Sequence, residues 1–319
     1  MAKYNHTVTE EELGMTINEI LRANYKFSAR FKTKMKFQSL VDLNGVPTKG
    51  FIKPNLFDVI SVRLPEETSD FPPEDIPLDI VYEDDDIIAI NKQPGIIVHP
   101  THGHPTGTVA NAVMKYMADT NQSFKVRFAN RIDMDTTGII IVAKNANAQD
   151  AISNQMRAGT TVKKYKALVH GIIENDMTIN LPVGRPTQES IQREVMYEGG
   201  KDAVTDVHVL KIFREDERSI TSDNPEGLTE PLNFRVKGDY TLVELTIHTG
   251  RTHQIRVHLS HIGHPIIGDE LYGGSPDLID RQALHAYYLG LKHPHTGEDM
   301  VITADIPQDF RRAIDILEQ

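Results

Sequence analysis

Cysteine is absent from the sequence. Its absence excludes disulfide bonds, thiolate nucleophiles, zinc sites built on thiolates and iron–sulfur clusters. Tryptophan is absent as well, so stacking and packing have to use phenylalanine and tyrosine. The sequence also lacks a run of about 18 apolar residues, and it therefore predicts no membrane span.

The N-terminus lacks the layout of a secretory signal. Residues 1–12 show no basic segment followed by an apolar one. Together with the absence of cysteine, this favours a cytoplasmic location. The chain has 319 residues, of which 39% are hydrophobic and 25% charged, which fits a globular protein of about two domains. A monomer is the default expectation for its oligomeric state.

Basic residues are fewer than acidic residues in the whole sequence, but they are concentrated in one part of it. The formal net charge is −11, which argues against a protein that coats nucleic acid without specificity. Residues 1–65 nevertheless contain ten basic and six acidic side chains. Two interpretations of the basic cluster stay open, a solvated helix face and a local phosphate-binding patch. The cluster contains no acid and consists of Arg22, Lys26, Arg30, Lys32, Lys34 and Lys36.

An acidic, proline-rich stretch at residues 65–77 predicts a linker between two parts of the chain. The smaller part, residues 1–70, is predicted to be an α+β module, with a helix followed by a small sheet around an Asn-Gly turn. The larger part, residues 78–319, has a mixed pattern. It includes predicted strands at residues 84–91, 138–144, 163–169 and 240–247, helices starting near Thr106 and over residues 147–157, and a polar excursion at residues 214–237.

Two polar segments carry the residue types of an active site. In residues 130–138, Asp133 and Asp135 lie two apart beside Arg131 and directly before an apolar strand. This spacing fits a metal site, an acid/base pair or a turn that needs Asp hydrogen bonds. In residues 249–258, a glycine turn follows a strand and opens a helix. An arginine at that place is suited to pair with a carboxylate.

Arg131-Ile132-Asp133, followed by Thr136-Thr137-Gly138 and the apolar strand, resembles the RLDxxTSG motif of the RluA-type pseudouridine synthases. Further segments resemble the other motifs of this family and follow in the same order. They are residues 91–100, 163–171, 250–274 and 281–294. The resemblance covers the chain from about residue 80 to its end, and residues 1–70 resemble, more loosely, the αL-motif RNA-binding domain of many members.

The resemblance implies an α+β catalytic domain with a mainly antiparallel sheet. It implies isomerisation of uridines in RNA, with ribosomal RNA favoured over transfer RNA, without a cofactor or a metal. Asp133 matches the catalytic aspartate, which either attacks the anomeric carbon or removes the ribose 2′ proton. Arg256 matches its arginine partner. Tyr165 matches the tyrosine that lies against the target base and is a candidate to take the proton from C5 later in the reaction. Arg131 matches an arginine that enters the RNA stack, with a surface phosphate contact as the alternative.

Some features depart from this picture. Asn130 stands where the family usually has histidine, so a titrating residue is excluded there. Two histidine sets have spacings known from zinc sites, namely His99, His102 and His104, and His258, His261 and His264; we expect neither to hold a metal. Asp84, Asp85 and Asp86 are predicted to form a solvated turn.

Two other functions compete with this interpretation of the whole chain. They are a non-catalytic RNA-binding factor and a carboxylate-dependent glycoside hydrolase.

Overall fold

The computed structural model describes residues 2–25, 27, 29–64, 67–101, 103–215 and 237–319. The helices in these residues are α1 (Ile17–Asn24), α2 (Ala29–Phe37), α3 (Val109–Asp119), α4 (Ala146–Ala158), α5 (Gln254–His261) and α6 (Gln308–Glu318). The strands of the first part are β1 (Ala2–Thr7), β2 (Val41–Leu43), β3 (Val46–Pro47) and β4 (Val59–Arg63). The other strands are β5 (Asp79–Glu83), β6 (Ile87–Lys92), β7 (Arg127–Phe128), β8 (Thr137–Ala143), β9 (Val162–His170), β10 (Met177–Asn180), β11 (Val183–Gly184), β12 (Glu194–Val195), β13 (Val204–Phe213), β14 (Tyr240–Ile247), β15 (Leu284–Lys292) and β16 (Asp299–Thr303).

The N-terminal part forms a four-stranded antiparallel sheet in the order β1-β4-β2-β3. The predicted Asn-Gly turn is present, since Asn44 and Gly45 both have positive φ angles, as a two-residue hairpin of this kind requires. Helix α1 starts at a capping box, in which Thr16 and Glu19 bond to each other's backbone N–H. Strand β1 was not predicted, because its polar residues give no alternating apolar pattern.

A ten-stranded sheet organises the rest of the chain. Eight strands follow the order β10-β13-β14-β9-β15-β8-β6-β5, with β16 beside β15 and β7 beside β8. All neighbouring strands are antiparallel except β15 and β8, which are parallel. The expected α+β fold with a mainly antiparallel sheet is therefore confirmed.

Strand β8 lies at the centre of this fold and is buried along its whole length. Successive side chains of a strand point to opposite faces. Ile139 and Ile141 accordingly pack in one apolar cluster with α4, whereas Ile140 and Val142 pack in another with α3. Helices covering both faces explain why the sequence of β8 is a continuous apolar run rather than an alternating one.

Gly138 fixes the parallel pairing at the start of β8. Its φ angle is 112°, and a Cβ atom there would lie 2.2 Å from the carbonyl oxygen of Ala286 in β15. Glycine is therefore required for the two backbones to approach this closely. The consequence is that the polar segment ending at Thr136 enters the sheet beside β15, which also pairs with β9.

The predicted linker is tied to both parts of the chain. Residues 67–77 have no regular secondary structure, but the Glu67 carboxylate pairs with Lys34 of α2 and with Arg127 of β7. Further along, the Asn111 side-chain amide donates to the Pro72 carbonyl over 2.9 Å. Tyr4 of β1 also stacks on His295, with ring centroids 4.9 Å apart.

Two local predictions need correction. Helix α3 is capped by Thr108 rather than Thr106, because Thr108 and Asn111 form the reciprocal cap. The turn at residues 84–86 is not fully solvated: Asp86 is 4% exposed, and its carboxylate accepts a hydrogen bond from Asn145 over 2.8 Å. None of the described helices combines the length and apolar character needed to cross a bilayer.

Candidate active site

A cavity of about 1260 Å³ opens where the segment before β8, the strand β9 and the helix α5 meet. All four residues that the resemblance assigned to catalysis line it, namely Arg131, Asp133, Tyr165 and Arg256. These residues are up to 125 positions apart in the chain. The fold thus brings together the residues whose catalytic roles the sequence predicts.

The loop that carries Asp133 is held at several backbone atoms. The side chain of Asn130 bridges β8, donating to the Ile139 carbonyl over 3.0 Å and accepting from the Ile141 N–H over 2.8 Å. The buried Lys92 ammonium donates to the carbonyl of Met134 over 2.6 Å. Asn130 therefore anchors the loop, a role for which the amide group supplies both the donor and the acceptor.

Lys92 is almost completely buried, at 1% exposure. Its ammonium also reaches the carbonyls of Gln93 and Ile96, at 2.8 and 3.1 Å. Burial lowers the pKa of Lys92 to about 7, although the nearby Asp135 charge acts in the opposite direction. The three carbonyl acceptors match the three donors of an ammonium group, so Lys92 joins the residues 93–96 turn to the Asp133 loop.

Arg256 lies between two carboxylates. Its Nε and Nη2 atoms each donate to one oxygen of Asp269 over 2.7 Å, and its Nη1 donates to Oδ2 of Asp133 over 3.2 Å. The side chains of Arg256 and Asp269 are 8% and 1% exposed, whereas that of Asp133 is 27% exposed. The buried fork-to-fork pair fixes the guanidinium, which in turn orients the carboxylate that faces the cavity.

The electrostatics follow from this arrangement. Burial alone would disfavour the charged guanidinium, but the hydrogen bonds and charge of Asp269, with Asp133, raise the pKa of Arg256. Burial and the negative charge of Asp133 raise the pKa of Tyr165. Tyr165 therefore stays a neutral phenol at neutral pH.

Helix α5 is positioned by Gln254. Its Oε1 accepts from the Thr249 hydroxyl and the Arg251 N–H, while its Nε2 donates to the Val204 carbonyl over 3.0 Å. Gln254 is 3% exposed, so these bonds hold the first turn of the helix against β13 and β14. Arg256 follows two residues later on the same turn.

Sequence reasoning assigned no role to Asp269, His253, Tyr272 or Lys92, although all four lie in the segments that resemble the family. The Arg256 guanidinium lies over the Tyr272 ring, 4.9 Å from its centroid. His253 and Arg256, three residues apart, face the same cavity. Asp269 stands next to Glu270 in the sequence, and no local pattern distinguished the two acids.

The remaining predicted site residues lie toward the surface. Arg131 is exposed at the mouth of the cavity, where its Nη2 lies 3.5 Å from the Thr252 hydroxyl. In the N-terminal cluster, Arg22 and Lys32 are exposed, whereas Lys34 pairs with Glu67. Lys26 and the side chains of Arg30 and Lys36 lie outside the described part of the structure, as does most of the predicted excursion, residues 216–236.

Within the predicted histidine sets, His258 is buried and bound to protein groups. The ring nitrogens of His258 bond with the Thr205 hydroxyl and the Leu181 carbonyl, and His102 lies outside the described residues. A different group, Asp84, Asp86 and His293, has ligand atoms close enough to hold a metal ion.

Hydrogen bonds within that group make a metal unfavourable. His293 Nδ1 accepts the N–H groups of His295 and Thr296, so Nε2 carries the ring hydrogen and donates it to Asp84 over 2.6 Å. A metal at Nε2 would need a lone pair that this nitrogen does not offer.

Comparisons with known proteins relate the chain to one enzyme family. A family model described as RNA pseudouridylate synthase matches residues 86–261. An uncharacterized RNA pseudouridine synthase of Bacillus subtilis, YlyB, is 36% identical over 100% of this chain and 99% of its own length. The ribosomal large subunit pseudouridine synthase D of Haemophilus influenzae is 33% identical over 98% of this chain and 94% of its own.

Among solved structures, human RNA pseudouridylate synthase domain containing 1 superposes with a TM-score of 0.56 and 26% identity, covering 72% of this chain and 84% of its own. The matched residues 86–261 contain Asp133, Tyr165 and Arg256. The match in sequence extends over the whole chain. The chain belongs to the RNA pseudouridine synthase family, whose members are isomerases.

Proposed function

We propose that this chain converts specific uridines of ribosomal RNA to pseudouridine, with Asp133 as the catalytic carboxylate. The observation that carries the proposal is the position of Asp133, whose carboxylate faces a cavity large enough to admit a nucleotide while a buried Arg256–Asp269 pair orients it. The choice of ribosomal RNA is supported by the relative from Haemophilus influenzae, which is named for the large ribosomal subunit.

The recessed position of Asp133 requires the target nucleotide to leave the RNA stack. A uridine inside a helix cannot reach the cavity, so the enzyme has to flip it out, at a cost of a few kcal/mol that is smaller in loops. Arg131, exposed at the mouth of the cavity, is placed to contact the RNA where the base has left it.

The reaction rearranges atoms within one nucleotide. The bond from C1′ of the ribose to N1 of uracil breaks, the base turns, and a bond from C1′ to C5 forms. C5 loses a proton and N1 gains one, so atoms and charge balance without a co-reactant. Within the described residues Oδ1 of Asp133 makes no hydrogen bond, which leaves this oxygen to attack C1′ or to remove the proton from C2′.

Tyr165 is suited to hold the uracil ring rather than to remove a proton. Its raised pKa keeps the phenol protonated beside the Asp133 charge, and a protonated phenol is a poor base. Its aromatic ring lines the cavity, where stacking on a base contributes about 1–3 kcal/mol. We assign Tyr165 to positioning of the detached base.

Residues 1–70 are proposed to be an accessory RNA-binding domain, and residues 78–319 the catalytic domain. The N-terminal part has its own sheet and its own apolar cluster, which supports this division. Its exposed Arg22 and Lys32 would contact phosphates, and such contacts make RNA binding weaken steeply as salt concentration rises.

Mapping of pseudouridines tests the function directly. Carbodiimide labelling and primer extension would be applied to ribosomal and transfer RNA from cells with and without the gene. We expect one or a few ribosomal sites to disappear without the gene, and to return with the wild type but not with Asp133→Asn.

The variant Glu270→Gln removes a different, exposed carboxylate from the rim of the cavity and should restore the sites. Sites lost from transfer RNA instead would overturn the choice of substrate. Retention of every site without the gene would favour the non-catalytic RNA-binding alternative. RNA binding that persists in Asp133→Asn separates loss of chemistry from loss of binding.

A further inference from the structure

His253 is held in an unusual conformation beside the catalytic carboxylate. It precedes α5 with φ 57° and ψ 18°, the left-handed region that non-glycine residues seldom occupy. Its side chain is 12% exposed, and its Nε2 lies 3.9 Å from Oδ2 of Asp133. Backbone strain of this kind persists where the surroundings fix it, and it concentrates at functional sites.

The hydrogen bonds around His253 define which ring nitrogen carries the hydrogen. The Tyr272 hydroxyl accepts the Arg193 N–H over 2.8 Å and lies 2.8 Å from Nδ1 of His253. The hydroxyl keeps its own hydrogen and donates it to Nδ1, the acceptor within reach. Nε2 of the neutral ring therefore carries an N–H group, on the side of the ring that faces Asp133.

The ring is also kept neutral. Burial lowers the pKa of His253, and the positive charges of Arg256 and Arg193 act in the same direction, while Asp133 opposes them. His253 is thus a fixed N–H donor rather than a general acid at neutral pH.

The distance between Nε2 and the carboxylate leaves space for one ligand atom. At 3.9 Å the two groups do not hydrogen-bond directly. An oxygen about 2.8 Å from both atoms would lie within hydrogen-bond distance of each. That oxygen has to accept from the histidine N–H and donate to the carboxylate, and a hydroxyl group does both.

A uridine inside an RNA chain has one free hydroxyl, the ribose 2′-OH, because its 3′ and 5′ oxygens are esterified. The uracil carbonyls accept only and its N3–H donates only. The 2′-OH is also the group that distinguishes RNA from DNA. The geometry points to His253 and Asp133 as a pair that binds the 2′-OH of the target uridine between them.

This inference rests on the proposed function, and a coupling experiment tests both. The substrates are an RNA fragment carrying the mapped target uridine and the same fragment with 2′-deoxyuridine at that position. Single-turnover rates are measured for the wild type, His253→Gly and His253→Gln. Glycine adopts φ 57° without strain, so its variant removes the ring while the backbone is kept, and glutamine restores an N–H donor.

The deoxy penalty is the ratio of the single-turnover rate on the uridine fragment to that on the 2′-deoxyuridine fragment. We expect this ratio to be at least about 10 in the wild type, and to be roughly fivefold or more smaller in His253→Gly. His253→Gln should recover part of it. A matched control is His261→Gln, which changes an exposed histidine at the C-terminal end of α5 and should retain the wild-type penalty.

A deoxy penalty that is equal in the wild type and in His253→Gly overturns the inference, since a purely structural histidine would slow both substrates alike. A wild type that leaves every uridine fragment unmodified would instead overturn the proposed function. Melting temperatures of the variants, measured in parallel, show whether His253→Gly remains folded.

Discussion

The most informative prediction concerns Asp269. This residue touches no substrate in the proposed mechanism, but it fixes Arg256, which in turn orients Asp133. The variant Asp269→Asn keeps the shape of the side chain and removes its charge. The amide offers Arg256 one acceptor in place of two, and its NH₂ group faces the guanidinium. Arg256, at 8% side-chain exposure, is then left with Asp133 as its carboxylate partner.

The expected loss of stability follows from the burial of this pair. Removing one partner of a buried ion pair costs about 3–5 kcal/mol, and we expect about 3 kcal/mol because Asp133 remains. At about 2–4 °C per kcal/mol for a chain of this order of size, the melting temperature should fall by roughly 6–12 °C. Salt screens buried charges weakly, so the difference should persist at high ionic strength.

The guanidinium is also expected to turn toward Asp133 and to occupy the oxygen needed for the reaction. The rate of uridine isomerisation should then fall roughly 100-fold, as displacement of a reacting group by about 1 Å does elsewhere. Calorimetry and a single-turnover assay on the target RNA measure the two effects. Glu270→Gln, one residue away and exposed, should change stability by less than about 0.5 kcal/mol. A normal melting temperature and rate in Asp269→Asn would refute the role given to this pair.

Other predictions concern buried polar groups around the site. Lys92→Met leaves the Met134 carbonyl and two others without their donor, so we expect a loss of about 3 kcal/mol in denaturant titrations and a slower reaction; an unchanged midpoint would contradict this. Burial lowers the pKa of His285 to about 4 from 6.5. Because the unfolded chain then binds a proton that the folded chain does not, stability should fall as pH drops from about 6.5 to 4, by about 2 kcal/mol between pH 7 and pH 5. His285→Gln should lose correspondingly less over that range, and equal losses would show that other groups dominate.

Local patterns allowed much of the fold to be predicted. Strand β8 follows from its apolar run, β14 has the predicted bounds 240–247, and helix α4 at Ala146–Ala158 extends the predicted residues 147–157 by one residue at each end. Strand β1 was missed because its stability comes from pairing with β4, 52 or more residues away, and not from its own composition. The burial of Asp86 was missed for the same reason, since Asn145 is its partner.

The site was predicted residue by residue only where the motif resemblance assigned a role. Asp133, Tyr165 and Arg256 were named from their motifs, and the structure brings them to one cavity. Asp269 and His253 were not, because their importance depends on which groups they face. A hydrogen bond between Arg256 and Asp269 is a property of the packed turn at residues 268–274, and no local periodicity reports it.

In the proposed mechanism, this arrangement keeps a single carboxylate both reactive and accurately placed. The exposure of the charged side chains increases toward the cavity. Asp269 is buried, Arg256 is slightly more exposed, and the carboxylate of Asp133 is partly exposed. The deepest group pairs with the arginine at two points, so the arginine has little freedom to follow Asp133 when the RNA binds. Asp133 is anchored from the other side by the backbone contacts of Lys92 and Asn130. Because these supports bind Oδ2 of Asp133 and the backbone of its loop, the nucleotide can contact the free Oδ1 of Asp133 without displacing the groups that hold it, which is the condition for a preorganised site.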